Sequence, residues 1–279
     1  MTTLRHCLRF LSIPRSRTFS SAPDSLAKVD VNLKTGVAVV SMQRLPVNSL
    51  NLELLEALGR TFDELEKNKC RGMILTSESP TVFSAGLDIM EMYKPDPARV
   101  KQFWTTLQNT WMKLYGSSFP TVAAINGQSP AGGCLLALSC EYRVMVGGKN
   151  VIGLNETKLG IIAPKWFMDC MRNVIGERQA ELALTLGKLF PADDALKVGL
   201  VDELATDKAD ALAKAEQFLA SFAKVPAMAR AYTKQGYRNE TIDWLRKNQE
   251  KDLQTFLNYV NQPQVQQGLE MYLQSLKKK

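Results

Sequence analysis

The 279-residue chain is 45% hydrophobic and 23% charged and has a formal net charge of +7. These proportions exclude an intrinsically disordered chain and a disulfide-rich miniprotein, and no apolar stretch approaches the roughly 18 residues of a spanning helix, so no integral membrane segment is expected. The single histidine, His6, lies in a stretch expected to be removed, which excludes a Ser-His-Asp triad, a Cys-His pair and a His-bearing zinc site from the mature chain.

Residues 1–19 contain Arg5, Arg9, Arg15 and Arg17, are rich in Ser and Thr, and precede the first acidic residue, Asp24. That composition is the profile of a mitochondrial transit peptide, and Arg17-Thr18-Phe19-Ser20 resembles a processing pattern; import into the mitochondrial matrix and removal near Phe19 are expected. Those four arginines and the terminal Lys277, Lys278 and Lys279 together equal the whole net charge of +7. The remainder is neutral, which argues against a nucleic-acid partner. The five cysteines form no CxxC pair and are expected to be reduced thiols.

Residues 28–34, the pair Thr35-Gly36 and residues 37–42 predict a β-hairpin, because β-branched runs flank a Gly-containing turn. Leu52, Leu55, Leu58, Phe62 and Leu65 recur at helical spacing and predict an amphipathic helix that stops near Asn68. Residues 72–76, 122–125 and 142–146 are short apolar runs suited to buried strands. Each is followed by a glycine-bearing segment and then a helical pattern, the order of an α/β protein. From about Ala192 onward the strand signal disappears: Pro191 marks the first turn of a helix through Ala195, and residues 208–223, 226–237, 241–260 and 264–276 read as helices. Residues 28–205 form the expected core and residues 206–279 a C-terminal helical region.

Three segments carry chemical possibilities. In Phe83-Ser84-Ala85-Gly86-Leu87-Asp88 a glycine separates a strand from a helical run beginning near Ile89, where free backbone N–H groups can face an oxyanion. On that segment alone, a plain turn with Asp88 as a helix cap is the stronger reading. Pro130-Ala131-Gly132-Gly133-Cys134 opens the apolar helix 134–139, and its glycines serve anion binding or close helix packing equally well. It matches neither GxxxxGK[ST] nor GxGxxG. In Asn155-Glu156-Thr157 a carboxylate is flanked by apolar sequence, which suits a desolvated base, although most glutamates in such settings are solvent-exposed.

Together these segments resemble the crotonase (enoyl-CoA hydratase/isomerase) superfamily over about residues 30–205. The resemblance is carried by Pro46-Val47-Asn48-Ser49-Leu50, Ser84 to Asp88, Ala124-Ile125-Asn126-Gly127 with Ala131 to Cys134, and Pro191 to Val201. The segments Ile152 to Thr157 and Leu159 to Pro164 are most similar to the family's mitochondrial isomerase branch. The resemblance implies a spiral core of repeated ββα units, a homotrimer, and an acyl-CoA thioester as substrate. Coenzyme A is then part of the substrate, and neither a metal nor a separate cofactor is implied.

It further implies that the N–H groups of Leu87 and Gly132 form an oxyanion hole and that Glu156 is the base. Ser84, Ala85, Gly86, Leu87, Asp88 and Gly132 are the implied substrate-binding positions. Hydratases of the family carry a second glutamate after the cysteine, where this chain has Leu135. Dienoyl-CoA isomerases carry an aspartate eight residues beyond the glutamate, where this chain has Pro164. One carboxylate in an apolar pocket suits a 1,3 proton shift, so the expected reaction converts 3-enoyl-CoA to trans-2-enoyl-CoA. The alternatives are an enoyl-CoA hydratase and a noncatalytic RNA-binding or scaffold protein of the same fold.

Overall fold

In the computed structural model, which describes residues 16–18 and 26–276, the chain enters through β1 (Ser16–Thr18), paired antiparallel with β2 (Ala27–Asn32). The rest of the expected transit peptide lies outside the described residues. β2 pairs antiparallel with β3 (Val37–Met42), the hairpin the sequence predicts. The turn closes on Gly36 at φ 72°, a left-handed conformation that glycine adopts without a Cβ penalty. Asn51 then caps α1 (Leu52–Lys67) by accepting from Leu54 N at 3.1 Å, and Leu55, Leu58, Phe62 and Leu65 form its buried face.

β4 (Gly72–Ser77) returns parallel to β3. Near Ile89, where the sequence reading starts a helical run, there is only a 3₁₀ turn, Ile89–Glu91. The helix proper, α2 (Pro97–Tyr115), begins later: Asp96 accepts from Ala98 N and Arg99 N, and Pro97 occupies the first turn, where its missing N–H costs nothing. β5 (Thr121–Ile125), the two-residue β6 (Ser129–Pro130), α3 (Gly132–Ser139) and β7 (Tyr142–Val146) follow, with β5 parallel to both β4 and β7. β8 (Val151–Gly153), α4 (Lys165–Ile175), α5 (Glu177–Leu186), β9 (Phe190–Pro191) and α6 (Ala192–Lys197) come next. β10 (Glu203–Ala205) leads into α7 (Lys208–Ala220), α8 (Ala227–Val260) and α9 (Pro263–Leu276).

The main sheet has seven strands in the order β1-β2-β3-β4-β5-β7-β10, and β6-β8-β9 form a second sheet of three. The apolar strands are buried on both faces, and their side chains alternate. Met73, Leu75, Ala123, Ile125 and Met145 join the main core, while Ile74, Val122, Ala124 and Val144 meet Ala211, Ala215 and Leu219 of α7.

The structure corrects the sequence reading at two further places. A strand does follow Ala192: β10 pairs parallel with β7, but with only three residues it leaves little pattern to detect. The break expected between helices at residues 226–237 and 241–260 is not found there, because Arg238-Asn239-Glu240 contains nothing that stops a helix; α8 is instead two helical stretches joined across a kink further along. Its irregularity lies at Asn248 (φ −116°, ψ 15°), whose side chain donates to Trp244 O at 2.8 Å and competes with the helical ladder. α8 and α9 are not peripheral. Leu245, Leu253, Phe256, Val260, Val265 and Leu269 belong to the main core, and Phe256 stacks on Trp104 with ring centroids 3.6 Å apart.

Candidate active site

The segment 83–88 runs beside residues 47–50 in a strand-like pairing. Ala85 N–H donates to Val47 O, Leu50 N–H to Gly86 O and Asp88 N–H to Leu50 O, at 2.8–3.1 Å. Alternation along an extended chain turns the Leu87 N–H the opposite way, and among the described residues it has no acceptor. Ser84 fixes this backbone from behind, donating to Asn48 O at 2.8 Å and accepting from Gly86 N at 3.2 Å. Asn48 fastens the partner loop by donating to Ser77 Oγ and Phe83 O.

The start of α3 meets that peptide directly. Ala131 is held at φ 49° and ψ −123°, a conformation rare for a residue with a Cβ, and its N–H donates to Gly153 O at 2.8 Å. Such strain typically costs about 1–3 kcal/mol and clusters where a backbone group must be aimed. It opens α3 at Gly132, whose N–H also has no acceptor among the described residues. A methyl group at Gly132 would lie 3.2 Å from Leu87 N, and one at Gly86 (φ 90°) would lie 2.8 Å from Ala131 Cβ. Only glycines allow the two segments to approach this closely.

Glu156 begins a 3₁₀ turn, Glu156–Leu159, directly after β8. Its carbonyl accepts from Ile161 N at 3.0 Å, and the hydroxyl of Thr157 donates to Leu184 O at 2.7 Å, so the turn is anchored on both sides. The carboxyl group is not anchored: Glu156 is 6% exposed and neither oxygen has a hydrogen-bond partner. Burial pushes its pKa up to about 7.

A cavity of about 350 Å³ joins these parts, with Ala85, Leu87, Pro130, Ala131, Asn155 and Glu156 on one side. Ser84 and Gly86 lie behind the wall and hold its backbone, and Gly132 adjoins Ala131 beside Leu87 N. Asp88 turns away from the cavity, capping the 3₁₀ turn through Met90 N at 3.0 Å and pairing with Arg44 at 2.8 Å. Pro164 is on the wall, whereas Leu135 is fully buried inside α3.

Sequence reasoning missed the opposite wall, which comes from α2, α4, α8 and α9: Trp104, Phe167, Trp244, Asp252, Phe256, Tyr259 and Tyr272. Trp244, Asn248, Asp252 and Phe256 stand four residues apart, a stripe that could have marked this face of α8. Asp252 also corrects the expectation of a single carboxylate in the pocket. Tyr259 ties this wall to the Glu156 turn, its hydroxyl donating to Gly160 O at 2.7 Å. The cysteines described, Cys70, Cys134, Cys140 and Cys170, are free thiols, and no cluster of potential metal ligands occurs among the described residues.

The sequence matches the enoyl-CoA hydratase/isomerase family over residues 32–279. It is 47% identical over 253 residues to the mitochondrial enoyl-CoA delta isomerase 1 of Mus musculus, covering 90% of this chain and 87% of that one. With the Homo sapiens protein of the same name it shares 44% identity over 251 residues, covering 89% and 83% of the two chains. The crystal structure of human mitochondrial delta3-delta2-enoyl-CoA isomerase matches with a TM-score of 0.88 and 43% identity, over 91% of this chain and 98% of that one.

Proposed function

The chain belongs to the enoyl-CoA hydratase/isomerase family and has its crotonase fold, and we propose that it is an enoyl-CoA delta isomerase of mitochondrial fatty-acid oxidation, converting 3-enoyl-CoA to trans-2-enoyl-CoA. The observation that carries the reading is a buried carboxylate without a hydrogen-bond partner, Glu156, sharing one cavity with the Leu87 peptide and the start of α3.

Glu156 removes a proton from C2, and the C–H electron pair moves into a dienolate whose negative charge resides on the thioester oxygen. The N–H groups of Leu87 and Gly132 hold that oxygen. Loss of one such donor typically costs about 10² to 10³ in rate, so the pair can carry much of the acceleration. Protonated Glu156 then returns the proton at C4, leaving the double bond between C2 and C3. A carboxyl group with a pKa near 7 is suited to both halves of this cycle, since it accepts and releases a proton with little bias at neutral pH. The proton and electron balance closes on substrate and Glu156 alone, so the step calls for no metal or redox cofactor.

Ala85 and Leu87 flank the thioester, Ser84 and Gly86 hold the donor peptide in place, and Asp88 fixes the turn that follows. Residence in the mitochondrial matrix and assembly as a homotrimer belong to the same proposal. Supporting them are the mitochondrial names of the relatives and the family resemblance of the sequence. N-terminal sequencing of the native protein and light scattering of the purified protein test the two. The reaction is tested by turnover of 3-enoyl-CoA and trans-2-enoyl-CoA side by side, where isomerisation is expected to be far faster than hydration. Comparable specific activities would replace this reading with a dual-function enzyme.

A further inference from the structure

Glu91 is a buried carboxylate, 5% exposed, four residues beyond Leu87. Leu87, Ile89 and Met92 of the same segment line the cavity, whereas Glu91 lies behind its wall, and the proton shift leaves it without a role. Both of its oxygens are engaged. Oε1 accepts from Leu52 N at 3.0 Å and from Arg99 Nη2 at 2.6 Å, and Oε2 accepts from Arg99 Nε at 2.9 Å. Leu52 opens α1, where a backbone N–H has no partner within the helix and the helix dipole favours a carboxylate. Arg99 stands in the first turn of α2 and also reaches Glu53, at 3.0 Å. One side chain therefore joins the 3₁₀ turn after Leu87 to the beginnings of two helices.

These bonds close a ring around the Leu87 peptide. On either side of Leu87, Leu50 N–H donates to Gly86 O and Asp88 N–H donates to Leu50 O. Two residues beyond Leu50, the N–H of Leu52 is held by Glu91, whose own N–H donates to Asp88 O at 3.0 Å. A second clasp comes from Arg44, which pairs with Asp88 at 2.8 Å and donates to Ser49 O at 2.9 Å. The segment carrying Leu87 is thus fastened to residues 49–52 at three points, and it cannot slide along them or turn about its axis without breaking one. Arg99 has a further effect. It neutralises a carboxylate that would otherwise stand bare close behind the N–H that must hold an oxyanion.

We infer that Glu91, held by Arg99, is a positioning residue that keeps the Leu87 N–H aimed at the thioester oxygen. This rests on the isomerase reading and adds to it a residue that sets the rate through the Leu87 peptide without touching the substrate.

The test compares wild type, Glu91→Ala and Glu91→Gln in turnover of 3-enoyl-CoA. In parallel, isotope-edited infrared spectroscopy follows the C=O stretch of bound octanoyl-CoA labelled with ¹³C at the thioester carbon. This saturated ligand has no double bond to shift, and its C=O frequency falls as hydrogen bonding to the oxygen strengthens. An oxyanion donor acts most strongly in the transition state, so in Glu91→Ala kcat is expected to fall about 100-fold with KM within about twofold of wild type. The C=O downshift on binding should shrink with it. Glu91→Gln keeps an acceptor for Leu52 N–H but loses the ion pair with Arg99, so rescue is expected to be partial, with kcat about tenfold below wild type and an intermediate band.

A wild-type kcat and C=O band in the folded glutamine variant overturn the inference, and that variant decides the matter if the alanine variant does not fold. A lowered melting temperature in the alanine variant with an unchanged band also overturns it, since Glu91 would then only stabilise the fold. The band separates the two claims: wild-type protein that binds octanoyl-CoA but shifts no double bond defeats the isomerase reading, and the C=O frequency still decides the role of Glu91.

Discussion

Two glutamates in this chain are withdrawn from water and behave in opposite ways. Glu156 has no hydrogen-bond partner, and burial alone pushes its pKa up to about 7. Burial acts in the same direction on Glu141, but Lys234 and Arg230 outweigh it and hold that carboxyl group below its ordinary value. Glu141 also accepts from Thr121 N at 3.1 Å, and Arg230 donates to Ser118 O at 2.7 Å, so the ion cluster ties α8 to the loop before β5 and to the strand itself. Burial creates a base only where the fold withholds cations; where it supplies them, the same side chain becomes a strut.

The sharpest way to break this comparison is to remove each carboxylate in turn. Glu156→Gln keeps the shape and removes the base, so isomerisation should fall about 10²- to 10⁴-fold while acyl-CoA binding survives. Retained turnover would show that the base lies elsewhere. Glu141→Gln should leave kcat nearly unchanged and lower unfolding stability by about 3 kcal/mol in denaturant titrations, because Arg230 and Lys234 are left buried without a counter-charge. Loss of activity without loss of stability would contradict the role of strut.

Stability against pH should separate the two with opposite slopes. The folded pKa of Glu156 lies above its ordinary 4.5, so the native state resists ionisation and stability falls as pH rises from about 4.5 to about 7. That shift is worth about 3 kcal/mol, so Glu156→Gln should exceed the wild type by up to about that amount above pH 7, and the advantage should vanish near pH 4. For Glu141 the folded pKa is lowered, so its contribution is present at neutral pH and is lost as the medium becomes acid enough to protonate it in the folded state. Parallel slopes for the two glutamine variants would remove the distinction. The smallest effect is kinetic: kcat/KM should fall about tenfold per pH unit below about 7, as Glu156 takes up a proton in the free enzyme. A rate profile flat down to pH 5 would assign the titration to another group.

The hairpin at Gly36 and the stripe of α1 were legible because each is local. Taken alone, Ser84 to Asp88 read as a plain turn, Ala131 to Cys134 as helix packing or anion binding alike, and Asn155 to Thr157 as an exposed segment; only the family resemblance marked this near wall as a candidate site. The far wall was not, because the roles of Trp104, Asp252 and Tyr259 are fixed by partners as distant in sequence as Trp104 is from Asp252 and Tyr259 from Gly160. Local pattern also overstated the break near residue 238 and understated β10, a strand made by its pairing with β7 rather than by its own three residues. The two fates of buried glutamate were equally hidden, since nothing near Glu141 in sequence announces Arg230 or Lys234.

The bond from Tyr259 to Gly160 joins the end of α8 to the turn that carries Glu156, while the seven-stranded sheet lies elsewhere in the fold. Local opening of α9 and the last turns of α8 would therefore admit water to Glu156 and restore ordinary carboxylate acidity without disturbing the pairing of β3, β4, β5 and β7. Heat inactivation should accordingly run ahead of melting: amides of α9 would exchange with deuterium, and turnover would be lost, at temperatures where the strands are still protected.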